Sequence, residues 1–364
     1  MVRIVNGVFL IKKGFEGSID YVQVMDENSN IDMNLFPKDV TDAKILDMYK
    51  TMSMARALDA KALSLQRQGR AVTYAPTLGQ EGTQIGAAFA MGENDWFVPN
   101  FRQHAVFVAR GYPLDKIMLY WRGFEESLAI PPEKKTLAVI VPVATQLPHA
   151  VGVAYAQKYK NTGSNVVTYV GDGGTSEGQF YESMNFAGVY KLPLVMVIEN
   201  NQWAISMPRG KQSAATTLAQ KAIAAGIPGI QVDGNDVIGV YKVIKDALAA
   251  ASDGPTVVEC ITYRLSMHTT ADDPTKYRND QEVAFWKQRD PLMRIKNYLV
   301  KKSLWNDNME NELADANLKK IDEAVEKSES FKPDPQSMFK NVYSYMPDVL
   351  EEELDEASKA NFWQ

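Results

Sequence analysis

The 364-residue chain has one cysteine, Cys260, and three histidines, His104, His149 and His268. A single cysteine excludes an internal disulfide and a cysteine-rich metal cluster, and it fits a reducing compartment. Basic residues are not in excess: 39 Lys+Arg stand against 45 Asp+Glu, a formal charge of −6. No basic run interleaves with aromatics, so a nucleic-acid partner is not expected. Long apolar runs are missing as well. No segment reaches the roughly 18 apolar residues that a membrane span needs. Residues 1–20 lack the continuous apolar stretch and small-residue cleavage site of a signal peptide. These absences lead us to expect a cytoplasmic, unprocessed protein with no membrane partner. What is present, 45% apolar and 23% charged residues, is the balance of an ordinary globular chain. It is too apolar for extensive disorder and long enough for a sizeable core.

Residues 1–36 alternate short apolar patches with Gly, Asn and Asp, and read as an extended N-terminal arm. Thr41 or Asp42 can cap a helix. From 43 to 68, apolar residues recur at helical spacing (Ile45, Met48, Tyr49, Met52, Leu58, Ala62, Leu65) and stop at Gly69. A second helix is expected over 82–90, rich in Ala and Gly for close packing. From about 136 the pattern alternates. Strands are expected at 137–141, 166–170, 194–199 and 256–261, and helices at 146–160, 178–190 and 238–251. Such alternation predicts an α/β fold, a parallel sheet with helices on both faces. Beyond 291 the chain reads as helical and charged, ending in the acidic run 348–357, a solvated helix face. The expected organisation is an arm (1–36), an α/β domain (37–300) and a helical C-terminal extension (301–364).

The segment richest in chemistry spans 166–206. A strand ends at Val170, and Gly171-Asp172-Gly173 follows at once; a helix and a second strand then lead to Asn200-Asn201. Ligands of open parallel sheets bind beyond the carboxyl ends of strands, so Asp172 and Asn201 can meet there if the strands are neighbours. Both offer oxygen ligands suited to Mg²⁺. Gly173 and Gly174 leave amides uncovered at a helix start, a place for phosphate. Other motifs fail on residue identity. A dinucleotide fingerprint needs glycine where Ser176 stands, and no Gly-Lys-Ser/Thr follows to make a P-loop.

The Gly-Asp-Gly…Asn-Asn pattern is the thiamine diphosphate signature, and the wider segment resembles the alpha subunit of the first component of 2-oxo acid dehydrogenase complexes. The resemblance spans about residues 40 to 300. It also rests on LGQEGTQIGAA (78–88), NFRQHAVFVARGYPL (100–114), VPVATQLPHAVGVAYA (141–156) and TYRLSMHTTADDPTKYR (262–278). It implies the thiamine diphosphate-binding fold and a detailed site. Asp172, Asn201 and the main-chain carbonyl of Trp203 would hold Mg²⁺. Gly173 and Gly174 would meet the cofactor through backbone amides, and Arg102 would pair with the diphosphate. Phe101 stands where relatives often have Tyr. The backbone at Val141 and Val143 would meet the aminopyrimidine. His268, the implied catalytic residue, would reach the diphosphate and the reaction centre. Thr145 and Gln146 match residues that hold a monovalent cation, K⁺, in branched-chain members, with Ile140 replacing a serine of that site. Thr269 stands where relatives carry a phosphorylated serine. His104 either lines the site or makes a hydrogen bond one layer out, and His149 reads as structural.

The resemblance further implies half an enzyme: a beta subunit completing an α₂β₂ tetramer, and a lipoyl-bearing acyltransferase that accepts the acyl group. The carboxylate that assists the aminopyrimidine would lie on the beta subunit. Glu81 is the one candidate within this chain, though its place before a Gly/Ala-rich helix better suits a cap or subunit contact. As substrate, the stretch MHTTADD favours branched-chain 2-oxo acids, with pyruvate or acetoin enzymes as the alternative.

Overall fold

The computed structural model describes residues 17–334, 336–340 and 342–360, together with the short strands Arg3–Val5 and Val8–Leu10. Its centre is a six-stranded sheet. The strands are β1 (Asp20–Val22), β2 (Trp96–Val98), β3 (Val166–Gly171), β4 (Leu194–Asn200), β5 (Gly229–Asp233) and β6 (Thr256–Ile261), in the order β1-β5-β6-β4-β3-β2. All five pairings are parallel. β3, β4 and β6 are runs of Val, Ile, Leu and Met because both their faces are covered. Alternation then sends successive residues to opposite faces. Val167, Tyr169, Val195, Val197, Val258 and Cys260 enter one core. Val166, Val170, Leu194, Met196, Ile198 and Val257 enter the other.

Helices α1 (Asp42–Arg67), α2 (Glu81–Ala90), α3 (His104–Ala109) and α4 (Leu114–Trp121) supply the first core, with α7 (Val237–Ala249). The second is covered by α5 (Gln146–Tyr159) and α6 (Gly178–Val189) through Leu147, Ala150, Phe180 and Met184. Thr41, not Asp42, caps α1; its hydroxyl accepts the Lys44 amide at 3.2 Å. The small residues of α2 matter as expected: a Cβ on Gly86 would stand 2.6 Å from the Val237 carbonyl, so only glycine lets α7 come this close. Cys260, in β6, is fully buried, and burial pushes its thiol well up. Among the described residues no helix is long and apolar enough to cross a membrane.

Two strands of the sheet, β2 and β5, were not expected from the sequence, and the reading differs at two further segments. Residues 137–141 do not form a strand. The segment makes one isolated bridge, Ile140 to Asn100, and the residue before it makes another, Thr136 to Phe97. Its neighbour β2 is a three-residue edge strand and has no further length to pair. Conversely, the segment read as an arm contributes β1, which pairs with β5. Val24 and Met25 follow it into the core, and both donate their amides to Asp236 Oδ2, at 2.6 and 2.8 Å. Asp236 also caps α7, its Oδ1 accepting from the Ile238 amide at 3.2 Å. Beyond the sheet lie α8 (Asp280–Lys287), α9 (Pro291–Lys301) and α10 (Asp307–Glu329). α10 packs on α1 and α4, burying Ile321 and Val325. α11 (Asp348–Lys359) carries the acidic run and buries no residue.

Asp236 thus serves three buried or capping amides at once. Asp236→Ala should cost about 3 kcal/mol in denaturant unfolding, a lost cap plus unpaired buried donors. A loss below about 1 kcal/mol, the scale of one ordinary hydrogen bond, would show that this carboxylate does not anchor the N-terminal strand.

Candidate active site

β3 and β4 run in register, with Gly171 opposite Glu199. The loops that leave their carboxyl ends therefore emerge side by side, and Asp172 and Asn201 line one cavity of about 390 Å³. The same cavity is lined by Phe101, Arg102, Val141, Val143, Gly173, Gly174, Trp203, His268 and Thr269. The residues assigned from sequence to the cofactor and to Mg²⁺ all line this cavity, whereas Ile140, Thr145 and Gln146 do not. Val141 and Val143 are more than half exposed at its rim.

Asp172 is buried, and its Oδ2 has no hydrogen-bond partner. Burial pushes its carboxyl up to about 6. An unpartnered buried carboxylate oxygen is costly unless a cation or donor meets it. Asn201 Oδ1 accepts the Trp203 amide at 3.3 Å, and its Nδ2 donates to Gln80 Oε1 at 2.8 Å. Among the described residues no group of three or more His, Cys, Asp or Glu gathers as a metal site. A cation in this cavity would rest on one carboxylate, one amide oxygen and one carbonyl, leaving room for phosphate oxygens, as Mg²⁺ prefers. The glycines keep the floor open. A Cβ on Gly173 would meet that of Ala204 at 2.8 Å, and one on Gly174 would meet Val170 Cγ2 at 2.5 Å and Val143 Cγ1 at 3.3 Å.

Arg102 is buried and reaches across the cavity. Its Nη1 donates to the Pro76 carbonyl at 2.8 Å, and its Nη2 lies 3.0 Å from both the carbonyl and Nδ1 of His268. The loop that carries Pro76 is held from below: the buried Asp59 accepts from Tyr74 Oη at 2.5 Å and from Thr77 N at 2.6 Å. Burial pushes Asp59 up to about 7. The Phe101 ring sits edge-on to His268, centroids 5.9 Å apart. His268 is half-buried, not a free loop residue. Burial first, then the charges of Arg102 and Arg264, hold its imidazole down to about 3.

The structure places four other residues singled out from the sequence. Glu81 does not face the cavity. It is fully buried as the first residue of α2, where Oε1 pairs with Arg56 Nε at 2.7 Å and Oε2 accepts the Gly79 amide at 2.9 Å. His104 lies one layer out, its Nε2 3.2 Å from the Ala75 carbonyl between Tyr74 and Trp121. His149 is on the exposed face of α5, its Nδ1 2.8 Å from the Thr145 carbonyl. Gln146 is fully buried, with an unpartnered Oε1.

Two residues in or beside the cavity were not singled out from the sequence. Glu199 lines the cavity from the end of β4, accepting from Gln84 Nε2 at 3.0 Å and Gln103 Nε2 at 3.1 Å. Burial pushes it up to about 7. The signal was available: an acid directly before Asn200-Asn201, at the carboxyl end of a strand. Arg264 is the other. It is wholly buried and donates to the Trp203 carbonyl at 3.0 Å and the Ile205 carbonyl at 2.7 Å. Its place just past β6, in the Tyr-Arg of the last family segment, was the clue.

Residues 49–336 match the family described as "Dehydrogenase E1 component". The chain is similar to proteins named pyruvate dehydrogenase E1 component subunit alpha. That of Staphylococcus aureus strain Mu50 is 41% identical over 344 residues, 93% of each chain. That of Staphylococcus epidermidis strain RP62A is 40% identical over the same length, again 93% of each. With the cavity at the strand ends and a family match over most of its length, the chain belongs to the dehydrogenase E1 component family, as an alpha subunit of a thiamine-diphosphate-dependent 2-oxo acid dehydrogenase.

Proposed function

We propose that this chain is the alpha half of an enzyme that oxidatively decarboxylates pyruvate. The observation that carries the site is the convergence of Asp172, Asn201, the Trp203 carbonyl and the two bare glycines at one cavity. What supports pyruvate, over the branched-chain acids favoured from the loop sequence, is the name carried by relatives about 40% identical over 93% of their length. When bound, thiamine diphosphate supplies a carbon nucleophile and an electron sink for release of carbon dioxide. The chain's residues do the rest. Asp172, Asn201 and the Trp203 carbonyl would hold Mg²⁺, and the orphaned Asp172 Oδ2 gives that cation its reason to bind. The amides of Gly173 and Gly174 would take diphosphate oxygens. Arg102 uses three of its five N–H groups on Pro76 and His268, so two remain for an anion. Val141 and Val143 offer an apolar wall against water, and His268 a polar group at the reacting end. Thr145 and Gln146 remain our assignment for a monovalent cation, which the unpartnered Gln146 Oε1 would meet.

A beta subunit and a lipoyl-bearing acyltransferase complete the reaction in this reading. No carboxylate free to serve the aminopyrimidine is contributed by Glu81, which is bound to Arg56. The surface also favours a partner: Tyr155, Phe186 and Tyr190 form an exposed aromatic cluster across α5 and α6, with centroids 4.5–6.2 Å apart. Contiguous exposed apolar area of this kind marks interaction surfaces.

Dye reduction driven by 2-oxo acids, with thiamine diphosphate and Mg²⁺, tests the whole reading. Activity is expected only with the beta chain, with pyruvate preferred over 3-methyl-2-oxobutanoate; the reverse order would restore the branched-chain assignment. Asp172→Ala should weaken Mg²⁺-dependent cofactor binding, followed by tryptophan fluorescence, about 100-fold or more, since loss of even an outer partner of a metal costs about 10- to 100-fold. Unchanged affinity would sink the metal assignment. Gly174→Ala should cost about 1–3 kcal/mol through overpacking against Val170 and lower cofactor affinity. Gly178→Ala, whose Cβ would meet only Glu182 Oε1 at 3.6 Å, should change neither.

A further inference from the structure

His268 Nδ1 stands against two guanidiniums. Arg102 Nη2 is 3.0 Å from it and Arg264 Nη1 is 3.3 Å. A guanidinium has donors and no acceptor, and it stays charged in proteins. The nitrogen between them can therefore only present a lone pair. A proton there would point at two cations and break both hydrogen bonds. A neutral imidazole carries one proton, so that proton sits on Nε2.

We infer that Arg264 is a positioning residue which, together with Arg102, locks His268 as the Nε2–H tautomer, so that His268 meets an acceptor oxygen in the cavity as a neutral hydrogen-bond donor and not as a proton-accepting base. The inference rests on the cavity being the thiamine diphosphate site. Arg264 is built for this task. It is wholly buried, and it also donates to Tyr277 Oη at 2.9 Å. Tyr277 Oη in turn donates to Asp272 Oδ2 at 2.5 Å, and that oxygen accepts the His268 amide at 2.7 Å. One side chain thus fixes both the ring nitrogen and the backbone of His268. Through the Trp203 and Ile205 carbonyls it also fixes the tight loop after Asn201, where Gln202 and Ile205 hold positive φ angles of 72° and 56°. Non-glycine residues adopt that region only when their surroundings hold them there.

The charges facing the ring decide its protonation. Arg102 and Arg264 oppose a second proton, and Asp272 favours one. Tyr277 is occupied with Asp272 and Arg264. Across the cavity stand Asp172 and Glu199, and a bound diphosphate would add negative charge there. The direct contacts are with the two cations, and they prevail.

The test is ring-nitrogen NMR on the full chain labelled with ¹⁵N-histidine. With three histidines, the pair of signals lost in His268→Gln identifies the residue. Between about pH 5 and 8, the usual window for histidine, the His268 pair should keep one protonated nitrogen, Nε2, and one bare nitrogen, Nδ1, with or without Mg²⁺ and thiamine diphosphate. A proton on Nδ1, or two protons at pH near 6, would overturn the inference. Arg264→Gln removes one cation and should raise the His268 midpoint by about one to three pH units; Arg264→Lys keeps the charge and should hold it low. An unmoved midpoint in a folded Arg264→Gln would remove Arg264 from the argument. The wild-type spectrum decides the tautomer by itself, whatever the variant's stability. Cofactor binding is read separately, by tryptophan fluorescence in the same samples. A chain with the expected ring signals that binds no cofactor would defeat the cofactor reading and leave the tautomer standing. A chain that binds cofactor while His268 titrates would do the opposite.

Discussion

The parallel register of β3 and β4 is the constraint on which the site depends. Pairing Gly171 with Glu199 lets both strands end at one level. It makes the Asp172 loop and the Asn201 loop neighbours although 28 residues separate the two positions (201 − 172 = 29, less one). A shift of two residues along either strand would keep the hydrophobic faces correct and still carry the two oxygen donors apart by nearly 7 Å, at about 3.3 Å per residue. The dense Val, Ile and Met packing of these strands on both faces is therefore more than stability. It fixes a distance between polar groups that make no direct contact with each other.

Electrostatics in the cavity follow from burial. Carboxylates at Asp59, Asp172 and Glu199 are pushed up because water is excluded, and the guanidiniums of Arg102 and Arg264 are pushed down for the same reason. Each lies in a web of hydrogen bonds that leaves a few groups unmatched, Asp172 Oδ2 among them. Native interiors seldom leave such atoms unpaired. Asp172 Oδ2 is such an atom on a residue that lines the cavity, whereas others, on Arg110, Ser183 and Arg294, belong to residues that do not line it.

Much of this was legible in the sequence. The strands at 166–170, 194–199 and 256–261 match those observed to within one residue, because their short length, flanking turn residues and enrichment in β-branched side chains decide for strand over helix. The Gly-Asp-Gly and Asn-Asn elements announced themselves as the loops beyond two of those strands. Other features were hidden for identifiable reasons. β1 has three residues, Asp-Tyr-Val, too few for any periodicity; its place is set by Asp236, more than 200 residues away. Residues 137–141 have strand composition but no partner strand long enough to pair with. Glu199 sits in an apolar run, and its contacts with Gln84 and Gln103 come from distant segments. Arg264 looked like one more basic residue in a polar loop. Its importance lies in four partners that only the fold collects.

The lone thiol has a practical corollary. Cys260 lies inside the central strand of the sheet, with burial and nearby carboxylates holding it protonated, so neither oxidants nor alkylating reagents find a thiolate there. The chain is in effect a blank background for cysteine chemistry. A single cysteine introduced on an exposed helix or on the loop carrying His268 would be the sole reactive sulfur in the subunit, and a dye or spin label could be attached there without first stripping out a native thiol.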